Sequence, residues 1–240
     1  MDAPTENELK ALEPIESPGY VEQLLEVLTF CFLIVPGLAF SFTGGSYVKE
    51  NFFLGVLGVV LSDLALVALI CFFLWRNNER FSRIGWVTKG YIREIIIGII
   101  LYFPLVYGLS YVEGWLQSAG LLLAKGHMPS FLSPEGVSER IVATFMVLII
   151  AVSEETIFRG YLILRFKSIT GSTFAAVIIS SIIFSIGHGY EGLEGVIIVG
   201  IMGTFFALIY LWRKSLIVPI VLHFMQDYIA IVLLPQMIQK

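Results

Sequence analysis

Charge is scarce in this sequence: 14% of its 240 residues are Asp, Glu, Lys or Arg, where a water-soluble domain carries roughly a quarter. The apolar share is 57% and the mean hydropathy is +0.86. Such a chain cannot clothe a surface that faces water, so a soluble enzyme and a disordered chain are both excluded. There are only two cysteines, Cys31 and Cys71, and each lies within an apolar run, which excludes a disulfide scaffold and reads as two small buried hydrophobes. Basic residues are scattered and the net charge is −4, so no stripe exists for nucleic acid. Residues 1–23 are acidic and Pro-rich, the opposite of the basic start of a signal peptide, and read as a short soluble tail.

What the chain has in excess is Leu, Ile, Val and Phe, in runs as long as a bilayer is thick. Seven apolar stretches of about 17 residues or more, each roughly 25 to 36 Å long as helix, make an all-α, polytopic membrane bundle. They run from about Leu24 to Phe42, Phe52 to Trp75, Ile95 to Val112, Ile141 to Tyr161, Ser172 to His188, Leu193 to Trp212 and Leu216 to Leu234. The stretch Gly114 to Ser138 could add an interfacial or re-entrant helix and raise the count to eight. Residues 24–240 then form one integral membrane domain. Arg76, Arg80, Arg83, Lys89 and Arg93 share one loop, and positive loops stay in the cytoplasm, which puts the N-terminus inside and, with seven spans, the C-terminus outside. No repeat relates the two halves, which removes one pointer to a transporter.

An ionisable side chain at bilayer depth costs about 2.5 to 3.5 kcal/mol on insertion scales, so each one needs a reason. Glu26 lies near the start of its span and can reach the interface. Asp63 lies mid-span and reads first as hydrogen-bonding glue between helices. The last four spans are richer. They carry SEETIFRG with Glu154, Glu155 and Arg159, then FSIGHG with Phe184 and His188, then HFMQD with His223 and Asp227.

Each motif pairs residues four apart, on one helical face. Arg159 can hold Glu155, Phe184 can shield His188, and Asp227 can stand beside His223. Glu154 points about 100° away from Glu155 on an ideal helix, into a different environment. If the fourth and fifth spans form a hairpin at Gly171, Glu154 and His188 are each 17 residues from the turn and Arg159 lies level with Phe184. A turn at Lys214 leaves His223 about 12 Å out of level with Glu154, unless part of Gly160 to Gly171, with Arg165 and Lys167, lies along the interface.

Several chemistries suit these residues. Glu154 facing His188 makes a water-activating pair, and His223 with a polar neighbour can donate to an oxyanion, which is peptide hydrolysis without a Ser or Cys nucleophile. Two His and one or two carboxylates are also a divalent metal set suited to zinc, a metalloendopeptidase-like reading, although HExxH is absent and the ligands come singly from three helices. A proton relay in a transporter is a third reading, and inert polar glue a fourth.

The ordered set Glu154-Glu155-x-x-x-Arg159, Phe184-x-x-x-His188 and His223-x-x-x-Asp227 resembles the CPBP (ABI) family, which includes the type II CAAX prenyl endopeptidases; the resemblance covers about residues 141–234. It implies a metal-independent intramembrane glutamate protease with no cofactor, acting on membrane-associated or lipidated protein substrates in the lipid bilayer of a bacterial or archaeal cell. By similarity Glu154 is the general base, His188 aids water activation, and His223 and Asp227 form the oxyanion site. Glu155, Arg159 and Phe184 support them. A scaffold or bacteriocin-immunity protein on the same fold is the non-enzymatic counterpart. Asp227 departs from the Asn of the eukaryotic prenyl proteases: an ionised Asp cannot donate to an oxyanion, so it is either protonated or orients His223.

Overall fold

The computed structural model describes residues 18–42, 51–87, 90–120 and 132–235. Residues 1–17 of the tail and residues 121–131 of the stretch Gly114 to Ser138 lie outside these residues. Seven helices follow one another: α1 (Tyr20–Ser41), α2 (Phe52–Arg76), α3 (Tyr91–Ser118), α4 (Val137–Thr170), α5 (Thr173–Ile186), α6 (Gly192–Arg213) and α7 (Ile217–Leu233). No strand occurs among the described residues. Five of the helices are long and apolar enough to cross a bilayer, while α5 and α7 are shorter.

Which helices face lipid follows from burial. Within their most apolar 18-residue stretches, α2 and α3 bury 17% of positions, whereas α4 buries 44% and α6 39%. The outward side chains of the peripheral helices include Leu54, Phe103, Tyr107 and Tyr111, a surface that only hydrocarbon and its interfaces can solvate. The protein is therefore an integral membrane protein with α4 at its centre.

Helix ends are fixed locally. Asn51 caps α2, its Oδ1 accepting from the amides of Phe53 and Leu54. Gly171 (φ +68°) ends α4, and the Ser172 hydroxyl accepts from the Ala175 amide to start α5, so the hairpin turns where the sequence places it. Inside α4 the backbone widens to a π-helix over Glu155–Leu162. The Ser180 hydroxyl of α5 donates to the Phe158 carbonyl in this segment at 2.6 Å.

Two expectations need correction. Gly160 to Gly171 does not peel away along the interface: α4 is continuous to Thr170. The levels match for another reason. The turn before α7 sits against the middle of α4, with the Leu216 amide donating to the Gly85 carbonyl and a Leu216 methyl 3.4 Å from where a Cβ on Gly160 would stand. From that level His223 is seven residues along α7 and Glu154 six residues back along α4. Gly160 is required there, because a Cβ would approach the Ile84 carbonyl oxygen to 2.8 Å.

The second correction concerns Glu26, which is buried rather than interfacial. Its Oε1 accepts from Arg76 and Asn77, each at 2.6 Å, and its Oε2 from the Tyr161 hydroxyl at 2.8 Å and Arg165 Nε at 2.9 Å. Arg165 also forks onto both oxygens of Glu79, which in turn accepts from Arg83. This network ties α1, the loop after α2 and the far half of α4 together with every carboxylate oxygen satisfied. Arg165 thus belongs to the helical core and not to a loop.

Candidate active site

The site forms where the widened turn of α4 meets α7. Glu155 is fully buried, and its Oε1 accepts from Arg159 Nη1 at 2.7 Å and lies 2.8 Å from His223 Nδ1. His223 is buried as well, and its Nε2 stands 3.6 Å from Glu154 Oε2 and 3.4 Å from Asp227 Oδ2. One imidazole is therefore gripped at Nδ1 by Glu155 and presented at Nε2 to two further carboxyls. Glu154 and Glu155 do lie in different environments, Glu155 sealed against Arg159 and Glu154 20% exposed, yet both carboxyls reach the same ring from its two nitrogens. An imidazole carries two nitrogens, and the π-turn that begins at Glu155 departs from ideal α-helical spacing.

Asp227 does stand beside His223 on one face, but Glu155 holds the orienting position at Nδ1. Sequence spacing paired Glu155 only with Arg159. The contact with His223 crosses 68 positions in the chain, and no local pattern announces it.

Arg159 is almost wholly buried, and its guanidinium lies 4.1 Å over the Phe184 ring and 5.3 Å from that of Phe206. Arg159 and Phe184 therefore lie level, as the Gly171 hairpin predicts. A Cβ on Gly203 would reach Arg159 Nη2 and Phe184 at 3.0 Å, so the glycine lets α6 close over this stack. Phe184 also packs on the rings of His188 at 4.8 Å and His223 at 5.9 Å.

His188 follows the end of α5, and its Nδ1 donates to the Phe184 carbonyl at 3.0 Å. A carbonyl only accepts, which fixes the proton on Nδ1 and leaves Nε2 as the chemically available nitrogen. Ser41 of α1 donates to the Ile186 carbonyl, and a Cβ on Gly189 would stand 2.7 Å from the Phe42 ring, so α1 closes tightly on the His188 turn.

Three residues near the site were not read as functional from sequence. Asp63 of α2 is within electrostatic reach of Glu154 and His223. Tyr190 places its ring 5.9 Å from that of His188, and Glu191 lies within electrostatic reach of Asp227 and Tyr190. The signal for Tyr190 and Glu191 was their proximity to His188 in the run HGYE; for Asp63 it was the cost of a mid-span carboxyl.

The edges of the cluster reach solvent-accessible space. Side chains of Glu154 and Asp227 are 20% and 24% exposed, whereas Glu155 and His223 are sealed. A buried carboxylate oxygen without a donor is costly, and Glu154 Oε2 and Asp63 Oδ2 both have no hydrogen-bond partner among the described residues. The geometry suits a group that accepts a proton from a small polar molecule beside it. Among the described residues no group of three or more His, Cys, Asp or Glu side chains is arranged to hold a metal ion, so the metalloendopeptidase-like reading gains no support.

Fold and site together define a polytopic membrane protein with an ionisable, partly open cluster at the centre of its helices. Residues 136–229 match the Rce1-like family, described as type II CAAX prenyl endopeptidase Rce1-like. That match, to a CPBP-family domain, runs from the start of α4 into α7 and holds every candidate residue from Glu154 to Asp227. Neither the curated proteins nor the solved structures contain a match to this chain.

Proposed function

We propose that the protein is a membrane endopeptidase that hydrolyses a peptide bond in membrane-associated or lipidated protein substrates with water activated by Glu154. The observation that carries this reading is the partly exposed Glu154 carboxyl with an unpartnered oxygen, 3.6 Å from an imidazole whose other nitrogen is anchored by Glu155. Family resemblance supports the protease class.

Glu154 takes a proton from water as the oxygen attacks the carbonyl carbon of the scissile bond. His188, through Nε2, accepts a hydrogen bond from that water and orients it. The carbonyl oxygen gains negative charge, and His223 donates to it from Nε2 while Glu155 at Nδ1 stabilises the imidazolium. As the carbon–nitrogen bond breaks, Glu154 returns its proton to the departing amine, leaving a carboxylate and an amine. Asp227 stands beside Nε2 and sets the polarity of the oxyanion site. Arg159 and Phe184 hold Glu155 and the two imidazoles in place. The loop carrying Arg76, Arg80 and Arg83 faces the cytoplasm of a bacterial or archaeal cell, and the N-terminus with it.

The test compares membrane and lipidated proteins in cells expressing wild type or Glu154→Gln, followed by cleavage of any responsive protein with purified enzyme after chelator dialysis. Size changes present with wild type, absent with the variant and insensitive to chelation are expected. Equal processing by Glu154→Gln overturns the reading, and loss on chelation with recovery on adding zinc overturns its metal independence.

A further inference from the structure

Among the described residues Asp63 is the one site carboxyl contributed from outside the Rce1-like region, by α2. Its level is set by packing on either side. Toward the start of α2, Val56, Val59 and Val60 share a buried cluster with Met146, Val147 and Ile150 of α4. Toward its end, Val67, Ile70 and Cys71 line an apolar cavity of about 390 Å³ with Val152 and Thr156 of α4. Asp63 lies between these two levels on α2, one turn from each on the same face, Glu154 lies on α4 between Val152 and Thr156, and the two carboxyls are within electrostatic reach of each other.

The charge balance at this point is one-sided. Within electrostatic reach of Glu154 are Glu155 and Arg159 from the π-turn, His223 and Asp227 from α7, and Tyr190; His188 from the end of α5 and Glu191 from the turn after it lie within reach of Asp227 instead. Arg159 and His223 are committed to Glu155 by hydrogen bonds. Among the described residues no cation is hydrogen-bonded to Asp63 Oδ2 or Glu154 Oε2, both buried, although His223 Nε2 stands 3.6 Å from the latter. Two adjacent carboxyls in a desolvated site do not both ionise.

We propose that Asp63 and Glu154 act as a carboxyl pair holding one proton between them, so that Asp63 is a positioning residue that sets when Glu154 can serve as base. This rests on the reading of Glu154 as the proton acceptor. The pair titrates as a unit, and the proton taken from water joins a dyad instead of an isolated carboxylate. Atoms balance as before: the proton enters the pair on attack and leaves it to the amine.

Infrared difference spectroscopy on the full chain in lipid nanodiscs tests this without a substrate. At neutral pH wild type is expected to show the carbonyl stretch of a protonated carboxylic acid, shifted by deuterium. Asp63→Asn and Glu154→Gln are each expected to lose that same band, because either one leaves a lone carboxylate. Asp63→Glu, which keeps the pair, is expected to retain a band and guards against a folding defect in the Asn variant. A band lost in only one of the two neutral variants, unchanged in both, or absent from wild type overturns the proposal. In cleavage assays the acid limb of the pH profile, where a second proton loads onto the pair, is expected to move to higher pH in Asp63→Asn; an unmoved limb with a lower rate reports a merely structural role and also overturns it. Failure of the Glu154 reading is separate: it appears as cleavage by Glu154→Gln, whatever the band does.

Discussion

Replacing Glu155 with Gln perturbs the site at its most sheltered point. The carboxylate is fully buried, it is the only hydrogen-bonded acceptor of Arg159 among the described residues, and it anchors His223 Nδ1 at 2.8 Å. Gln keeps the shape and one acceptor oxygen but removes the charge, so Arg159 is left as a buried cation among Phe184, Phe206 and Gly203. Breaking a buried pair from one side costs about 3–5 kcal/mol, because the remaining charge is uncompensated. Arg159→Gln leaves Glu155 uncompensated in the same way. The double variant keeps two neutral amides in contact, and the cycle is expected to show a coupling of about 1–3 kcal/mol in favour of the pair. Unfolding in mixed detergent micelles, followed by tryptophan fluorescence, measures the four corners. Cleavage is expected to fall in Glu155→Gln even where the fold survives, since the imidazole loses its anchor. A variant within about 1 kcal/mol of wild type with intact cleavage refutes the assignment of Glu155 as the residue that holds the cluster.

Two further outcomes follow from burial and space. Arg76 and Arg165 both bind Glu26, but the Arg76 side chain is 44% exposed and that of Arg165 1%. Arg76→Gln is therefore expected to cost about 1 kcal/mol or less and Arg165→Gln about 3–5 kcal/mol, measured by the same unfolding assay; equal costs count against the network. Gly203→Ala brings a methyl to 3.0 Å from both Arg159 and Phe184, while Gly58 of α2 has open space around it. The first is expected to destabilise by about 1–3 kcal/mol and to lower cleavage. Gly58→Ala is expected to be neutral or stabilising by up to about 1 kcal/mol, and a tolerated Gly203→Ala removes the close approach of α6 from the account.

Hydropathy made the helices legible because a lipid-facing segment must satisfy its backbone internally and cover itself with apolar side chains, a requirement each segment meets alone. The seven stretches read from the sequence all appear as helices. Their boundaries moved where local rules changed: α4 runs past Tyr161 to Thr170 because Arg165 finds Glu26 and Glu79, partners that no hydropathy window contains.

Pairs four apart were legible for the same local reason, and Arg159 does hold Glu155. Contacts between distant segments were not. The scarcity of charge in this sequence, by itself, determined a membrane protein and marked its few buried ionisable groups as features to explain. Only the tertiary structure decided that His223 meets both glutamates, because that depends on the α6–α7 turn docking on Gly160 and on the π-turn in α4. It also decided that Asp63 comes within electrostatic reach of Glu154, since the level of one helix against another is fixed by packing and carries no signature in either helix alone.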